Sequence, residues 1–372
     1  MKIALVHDYL NEFGGAERVL SELADIYPNA PIFTAFYKKN STAYNHFKHR
    51  TIVPSWAHYI PFFSSKLHSP LRFLTPLIWG SFDFSQYDVV IGSASWYITK
   101  GFRKGPSTKE ICYCHTPPRW LYGFKTSIEF QKYWPVRIYA AIVGHFMRLY
   151  DFSQAQKVDV FVANSHNVAN RIKKFYRRDS IVIYPPVSLP PVPKVSKENY
   201  YLITSRIVGA KGLDLAVNAA IKLGFKLKII GESAGYYTEY HHLQKIAGDR
   251  VEFLGRLSDE DRNLCYAKAK AFFALSVDED FGMTPVEAMH FGTPVIAFRG
   301  GGYLESVVEN KTGVFFDEPT VDSLITAIKR FEKLKFDSAV CIMHSQKFSH
   351  DIFAQKIKKL VSSTIHSMPH QK

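Results

Sequence analysis

The sequence has 372 residues, 47% of them hydrophobic and 22% charged, which is typical of a soluble protein with two or three domains. Lysine and arginine number 47 against 33 acidic residues, so the net charge of +14 favours a polyanionic partner such as a nucleic acid, an anionic membrane or a diphosphate. No stretch reaches the roughly 18 apolar residues that a membrane span needs, and the first residues predict a buried strand instead of a signal peptide.

Alternating strands and helices are predicted along the first half of the chain. The run Ile3–His7 has the composition of a buried strand and precedes a glycine-containing loop at 11–15 and a helix at 16–26. Further strands are predicted at 88–92, 110–114, 158–163 and 181–184, with one helix before the strand 158–163 and another at 168–175. This alternation favours a parallel sheet covered by helices.

A proline-rich segment follows, with five prolines among residues 185–193. So dense a run excludes a helix or a central strand and indicates a linker. We therefore predict a first domain at 1–184, a linker at 185–198 and a second domain at 199–345. Residues 346–372 are predicted to form a C-terminal helix that packs back toward the first domain and ends in a frayed tail.

The alternation restarts after the linker. The predicted strands are 200–204, 227–231, 251–254, 271–275, 294–297 and 314–316. The predicted helices are 213–223, 237–247, 259–267, 285–290, 304–308, 321–331 and 353–365, and Ser258 is expected to cap the helix at 259–267. Two open parallel sheets are expected to face a central cleft, with the chemistry in the loops beyond the carboxyl ends of their strands.

Two cations, Arg206 and Lys211, lie between the predicted strand 200–204 and the next helix. A helix N-terminus adds partial positive charge and free N–H groups, while arginine chelates phosphate oxygens and lysine supplies a point charge. This pattern suits a diphosphate. Two solvated surface cations are the alternative interpretation.

Two acids, Glu279 and Glu287, follow the predicted strand 271–275. Glu279 lies on the loop, where its carboxylate can accept hydrogen bonds from sugar hydroxyls. Glu287 has two interpretations: it occupies a capping-box position with Thr284 as the N-cap, or it binds the vicinal hydroxyls of a ribose.

Glycines and one histidine are placed near the same strand ends. Gly14 and Gly15 open the first predicted helix, either as an anion-binding turn or as a plain tight turn. The three glycines at 300–302 are expected to leave N–H groups bare at the edge of the second sheet. His115 follows the strand 110–114 and is either structural or directed to the cleft.

Together these motifs resemble those of the retaining glycosyltransferases of family 4, which have the GT-B fold of two Rossmann-like domains. The most specific is the Glu-x7-Glu pair, Glu279 and Glu287, within EDFGMTPVEAMHFGTPVIAFRGGGYLESV. The segments GGAERVL, CHTPPRWLYGF, VANSHNVANRI, YPPV and SRIVGAKGLDLAV add to a resemblance that runs from Met1 to about Leu324. HTPPRWLY and YPPV look most like the bacterial surface-polysaccharide branch, whose members often use GDP-mannose.

The resemblance implies a role for each matching residue. Arg206 and Lys211 would neutralise the leaving diphosphate. His115 and Glu279 would contact the donor sugar, and these four are the implied catalytic residues. The implied donor-binding residues are Gly14, Gly15, Arg206, Lys211, Gly231, Glu232, Arg256, Leu257, Glu279, Phe281, Gly282, Met283, Thr284 and Glu287. The family is metal-independent, so neither a metal nor a cofactor beyond the nucleotide-sugar substrate is expected.

The sequence therefore predicts a hexosyltransferase, preferably a mannosyltransferase, that acts on a lipid-linked or growing polysaccharide such as lipopolysaccharide. The basic, aromatic segments 56–79 and 119–148 are expected to rest on the anionic inner face of the cell membrane, with Lys66, His68 and Arg72 toward the headgroups. An ordinary domain surface is the alternative for these segments. The enzyme would then be cytoplasmic and peripheral.

Three other functions are considered. A sugar-nucleotide epimerase or hydrolase fits the same fold, and a non-catalytic sugar-nucleotide sensor is opposed by the retention of every motif residue. A nucleic-acid-binding protein is disfavoured because the basic residues form no continuous stripe.

Overall fold

The computed structural model describes residues 1–124, 133–233 and 237–366. It divides into two compact units, one formed by Met1–Pro186 with His350–Lys372 and the other by Val187–Ser349. The predicted frayed tail at 367–372 lies outside the described residues.

The second unit extends beyond the predicted bounds of 199–345 at both ends. The Val187 N–H donates to the Phe348 carbonyl at 2.9 Å, and both residues are buried. Much of the proline-rich segment that was predicted as a linker is therefore assigned to the second unit.

Each unit is built on one sheet whose strand pairs are parallel. The first sheet contains β1 (Ile3–His7), β2 (Ile32–Thr34), β3 (Ile52–Pro54), β4 (Val89–Ala94), β5 (Lys109–Cys114), β6 (Val160–Ala163) and β7 (Ile181–Val182), in the order β3-β2-β1-β4-β5-β6-β7. The second contains β8 (Tyr200–Thr204), β9 (Lys226–Ile230), β10 (Val251–Gly255), β11 (Ala271–Ala274), β12 (Val295–Phe298) and β13 (Gly313–Phe316), in the order β10-β9-β8-β11-β12-β13.

Helices connect these strands. They are α1 (Gly15–Ile26), α2 (Thr42–Phe47), α3 (Thr75–Gly80), α4 (Trp134–Ala155), α5 (His166–Tyr176), α6 (Leu213–Leu223), α7 (Tyr237–Ala247), α8 (Asp259–Lys268), α9 (Met283–His290), α10 (Tyr303–Ser306), α11 (Val321–Glu332), α12 (Ser338–Ser345) and α13 (His350–His366). The sequence analysis missed β2, β3, α2, α3 and α12. The Rossmann-like α/β class predicted for both halves is confirmed.

The C-terminal helix α13 belongs to the core of the first unit. Its residues Phe353, Ile357 and Val361 are buried in one cluster with Leu20 and Leu23 of α1. The spacing of the three α13 side chains places them on one face of the helix, which explains how a segment remote in sequence completes this core.

The order of strands reverses once in each sheet. In the first sheet β1 and β4 are neighbours, and in the second β8 and β11 are neighbours, so the chain leaves each pair in opposite directions. In parallel sheets, ligands bind beyond the carboxyl ends of the strands at such a switch point. The functional site is therefore expected at these two switch points. The cleft expected from the sequence stays a prediction.

Candidate active site

At the switch point of the second sheet, the loop after β8 touches the loop after β11. The Lys211 Nζ lies 2.7 Å from Oε2 of Glu279, and the Ser276 hydroxyl donates to the Ala210 carbonyl at 3.1 Å. The side chains of Lys211 and Glu279 are 27% and 21% exposed, so a ligand can reach both. The structure thus brings together a cation and a carboxylate that the sequence placed in separate motifs.

A glycine sets the position of Lys211. Gly212 has φ +66° and a Cβ there would lie 2.9 Å from the Leu275 carbonyl oxygen, so the loop can approach β11 only without a side chain. Helix α6 begins immediately afterwards at Leu213. Lys211 therefore lies at the positive end of a helix dipole, and Arg206 is exposed on the same loop.

The glycine run after β12 shapes the loop that carries Glu279. The Gly302 N–H donates to the Glu279 carbonyl at 2.9 Å, and a Cβ at Gly302 would lie 2.3 Å from Cα of Phe281. The Gly300 N–H donates to the Phe298 carbonyl, so two of the three N–H groups predicted to be bare are used within the protein. These glycines therefore act mainly by allowing close packing.

A tyrosine next to this run orients the Glu279 side chain. The Tyr303 hydroxyl donates to Oε2 of Glu279 at 3.4 Å, the same oxygen that faces Lys211. Burial, followed by the nearby carboxylate, raises the pKa of Tyr303 well above its usual range, so the hydroxyl keeps its proton as a donor.

The second acid, Glu287, is buried on α9, which begins at Met283 with Gly282 as its N-cap at φ +87°. Thr284 consequently lies within the first turn and is not the cap, so the capping-box interpretation of Glu287 is wrong. The Glu287 carboxylate is 6% exposed and accepts a hydrogen bond from the Tyr266 hydroxyl at 2.9 Å. Its ribose-binding role stays a prediction.

The other predicted donor-binding residues follow the ends of neighbouring strands. A Cβ at Gly231 would lie 1.9 Å from the Ser205 carbonyl oxygen, and the Gly231 N–H donates to the Gly255 carbonyl at 2.8 Å. Glu232 and Arg256 each follow one of these two glycines, and both side chains are exposed. The Ile207 N–H of the Arg206 loop donates to the Glu232 carbonyl at 3.0 Å.

Four further predicted donor-binding residues differ in exposure. Leu257, Met283 and Thr284 are partly exposed. Phe281 is only 2% exposed, and its ring centroid lies 5.3 Å from that of Phe348. The Phe281 side chain therefore anchors the loop.

At the switch point of the first sheet, three polar residues lie at or next to the carboxyl ends of three adjacent strands, β1, β4 and β5. The Ser93 Oγ lies 3.0 Å from His7 Nδ1 and 2.9 Å from His115 Nε2. His115 is 8% exposed, and burial lowers its pKa to about 4. Its imidazole is therefore neutral at neutral pH.

The glycine loop joins the same group of residues. Gly14 is the N-cap of α1, and its N–H donates to Oε2 of Glu17 at 2.9 Å. The other oxygen of Glu17 lies 3.2 Å from His7 Nε2. Gly15 is exposed as the first residue of the helix. Of the predicted glycine pair, Gly14 thus already uses its N–H within the protein.

Sequence reasoning missed His7, Glu17 and Ser93. Their signal was available, because His7 and Ser93 are polar residues at the carboxyl ends of buried strands. Glu17 falls three residues after the N-cap of α1, the position of a capping-box acid.

Comparison with known proteins finds a family match for the second unit. The model of glycosyl transferases group 1 matches residues 187–348. An uncharacterized glycosyltransferase of Methanocaldococcus jannaschii is 27% identical over 184 residues, a match that spans 50% of this chain and 52% of that protein. The human alpha-1,3/1,6-mannosyltransferase ALG2 is 26% identical over 320 residues, which cover 75% of this chain and 74% of the relative.

Solved structures support the same fold. Anabaena HepE in complex with UDP and glucose superposes with a TM-score of 0.71 at 18% identity, over 98% of this chain and 100% of that one. Sucrose-phosphate synthase from Thermosynechococcus elongatus gives a TM-score of 0.72 at 17% identity, over 99% and 100%. Residues 187–348 thus match the group 1 glycosyltransferases, and the two Rossmann-like domains are those of the GT-B fold.

Proposed function

We propose that this chain is a retaining glycosyltransferase that moves a hexose, preferably mannose from GDP-mannose, to a glycan or lipid-linked acceptor. The contact between Lys211 and Glu279 carries this proposal, because it sets a cation for a diphosphate beside a carboxylate for sugar hydroxyls at a switch point. The alpha-1,3/1,6-mannosyltransferase relatives support mannose as the sugar.

The chemistry requires stabilisation of a leaving diphosphate. The acceptor oxygen bonds to the anomeric carbon while the bond from that carbon to the diphosphate oxygen breaks, and the acceptor proton passes to the diphosphate. Arg206, Lys211 and the N-terminus of α6 would stabilise the negative charge that develops on the leaving group. Attack on the face that the diphosphate leaves gives retention.

A panel of donor nucleotides tests the proposal. We expect GDP-mannose to raise the Tm of the protein more than UDP-, ADP- and dTDP-sugars do, because the sugar nucleotide with the lowest Kd stabilises the folded state most. A ligand at 100 times its Kd contributes about 2.7 kcal/mol. With labelled donor and acceptor, the expected product is a glycoside of retained anomeric configuration. Free sugar or an epimerised donor as sole product would favour the hydrolase or epimerase, and the absence of any shift with every nucleotide would contradict donor binding.

Helix α4 in the first unit presents an apolar stripe to solvent. Its residues Trp134, Ile138, Ile142 and Phe146, spaced by four, are 72%, 52%, 56% and 64% exposed. No helix among the described residues is both long and apolar enough to cross a bilayer. An exposed apolar face on such a helix suits one that lies in the membrane interface.

A second group of exposed apolar side chains comes from the segment 56–79. Tyr59, Phe62 and Leu77 are 75%, 71% and 64% exposed, and the Tyr139 hydroxyl of α4 donates to the Pro70 carbonyl. We therefore propose that α4 and this segment together rest on an anionic membrane. Residues 125–132 of the predicted segment 119–148 lie outside the described residues.

Two of the three cations predicted to face the headgroups point into the protein instead. The Arg72 guanidinium lies 4.5 Å from the centroid of the Trp120 ring and donates to the Ser69 carbonyl at 2.7 Å. The His68 ring bonds to the Phe63 carbonyl, and burial lowers its pKa. Only Lys66 of the three is exposed.

Replacing Ile142 and Phe146 together with serine is expected to lower the fraction bound to anionic vesicles about tenfold, because two side chains lose their apolar burial. Sedimentation with phosphatidylglycerol vesicles at low salt measures this. Leu304→Ser is the control, since Leu304 is a 53% exposed apolar residue of the other unit. Equal recovery of the double variant and the wild type would count against the surface.

A further inference from the structure

A continuous chain of hydrogen bonds joins the glycine loop to His115. It runs from the Gly14 N–H through Glu17, His7 and Ser93 to the imidazole of His115, with each polar contact between 2.9 and 3.2 Å. The separation between His7 and Ser93 is 86 residues, so only the pairing of β1 with β4 brings them together.

With a neutral His7, the direction of every bond in this chain of hydrogen bonds follows from its first member, Glu17. An ionised carboxylate can only accept, so Glu17 receives hydrogen bonds from the Gly14 N–H and from His7 Nε2–H. A neutral His7 then has a bare Nδ1, which accepts the single hydroxyl proton of Ser93. The Ser93 oxygen must in turn accept a hydrogen bond, and the group that faces it is Nε2 of His115.

Burial keeps water away from these hydrogen bonds, so water cannot satisfy a mismatched donor or acceptor. His7 and Ser93 are 1% and 0% exposed, and in such surroundings a mismatched pair of donors or acceptors would stay unsatisfied. The far nitrogen of His115, Nδ1, has no hydrogen-bond partner within residues 1–124, 133–233 and 237–366, while the residue keeps 8% of its surface exposed.

We propose that Glu17, acting through His7 and Ser93, holds His115 as the Nε2–H tautomer and so makes its Nδ1 an acceptor for a hydroxyl of the substrate. Glu17, His7 and Ser93 are positioning residues in this scheme. The part that concerns the substrate rests on the proposed transferase function, whereas the tautomer is a property of the free protein.

Glu17→Gln is expected to reverse the direction of each hydrogen bond from residue 17 to His115, because glutamine has the shape of glutamate but carries one donor group. An amide has one accepting oxygen and one donating NH2 group, so it satisfies the Gly14 N–H only by donating to His7 Nε2. His7 then donates from Nδ1 to Ser93, and the Ser93 hydroxyl donates to Nε2 of His115. We therefore expect His115 to change to the Nδ1–H tautomer.

Nitrogen-15 NMR of the histidine-labelled full chain distinguishes the two tautomers. His115 signals are assigned by their loss in His115→Gln. The wild type is expected to show a protonated Nε2 and a bare Nδ1, and Glu17→Gln the opposite. Glu12→Gln removes an exposed carboxylate from the same loop and is expected to match the wild type. A wild-type Nδ1–H form, or no reversal in Glu17→Gln, would overturn the proposal.

Kinetics test the substrate part separately. Because a hydroxyl would meet a donor in place of an acceptor, kcat/KM for the best donor sugar is expected to fall about tenfold in Glu17→Gln, the range of one hydrogen bond. A reversed tautomer with unchanged kcat/KM would overturn the contact between Nδ1 and substrate. A protein inactive with every donor would refute the proposed function, yet the spectra would still decide the tautomer.

Discussion

Lys211→Ala is expected to lower kcat about a hundredfold while the second unit stays folded. Removing one preorganised group that stabilises developing negative charge costs roughly 3 kcal/mol in catalysis, which corresponds to about that factor. The loss of stability should be small, since the partly exposed pair with Glu279 contributes only about 0–1 kcal/mol to folding. Steady-state rates at saturating donor measure the first effect, and the Tm measures the second.

A matched lysine separates this role from ordinary ion pairing. Lys222 lies on α6 and pairs with Asp322 at 3.2 Å, and its side chain is 56% exposed. Lys222→Ala therefore removes a surface ion pair of the same unit without touching the site, and its kcat should equal that of the wild type. Arg206→Ala is expected to behave like Lys211→Ala, and unchanged turnover in both would refute a diphosphate at this loop.

Local patterns were sufficient to predict much of the second unit. The helical spacing of apolar residues in Leu213–Leu223 and the capping of α8 by Ser258 both lie within a few residues, and both are found as expected. The approach of Lys211 to Glu279 was also predictable, because the ends of adjacent parallel strands meet at one edge. In the first unit, β2 and β3 are three residues long, too short for a periodic signal.

Features fixed by tertiary contacts could not be predicted in this way. The start of α9 depends on Gly282, which has a left-handed backbone conformation. A Cβ at Gly282 would lie only 2.7 Å from the Tyr303 ring, so the loop can pack against that ring only without a side chain here. A local capping rule pointed to Thr284 instead. The link from Glu17 to His115 likewise needs the pairing of β1 with β4, and no short motif encodes it.

Gly302→Ala is expected to remove most activity and to destabilise the second unit. A Cβ at this position would lie 2.3 Å from Cα of Phe281 and 2.6 Å from the Asp280 carbonyl oxygen, closer than backbone atoms tolerate. Gly302 has φ −68°, which alanine adopts freely, so the whole effect is steric. Overpacking of this kind costs about 1–3 kcal/mol, which thermal unfolding would detect as a lower Tm.

The loss of activity should exceed what this destabilisation explains. The colliding backbone belongs to the loop that carries Glu279, so the methyl group displaces that carboxylate from Lys211 even in molecules that stay folded. Assays well below the Tm isolate this effect, and we expect kcat to fall at least tenfold there. Gly80→Ala is the control, because nothing lies within 4 Å of its Cβ and the residue ends a helix. If Gly302→Ala kept full activity, the glycine run would not set the position of Glu279, and the role given to the loop would fail with it.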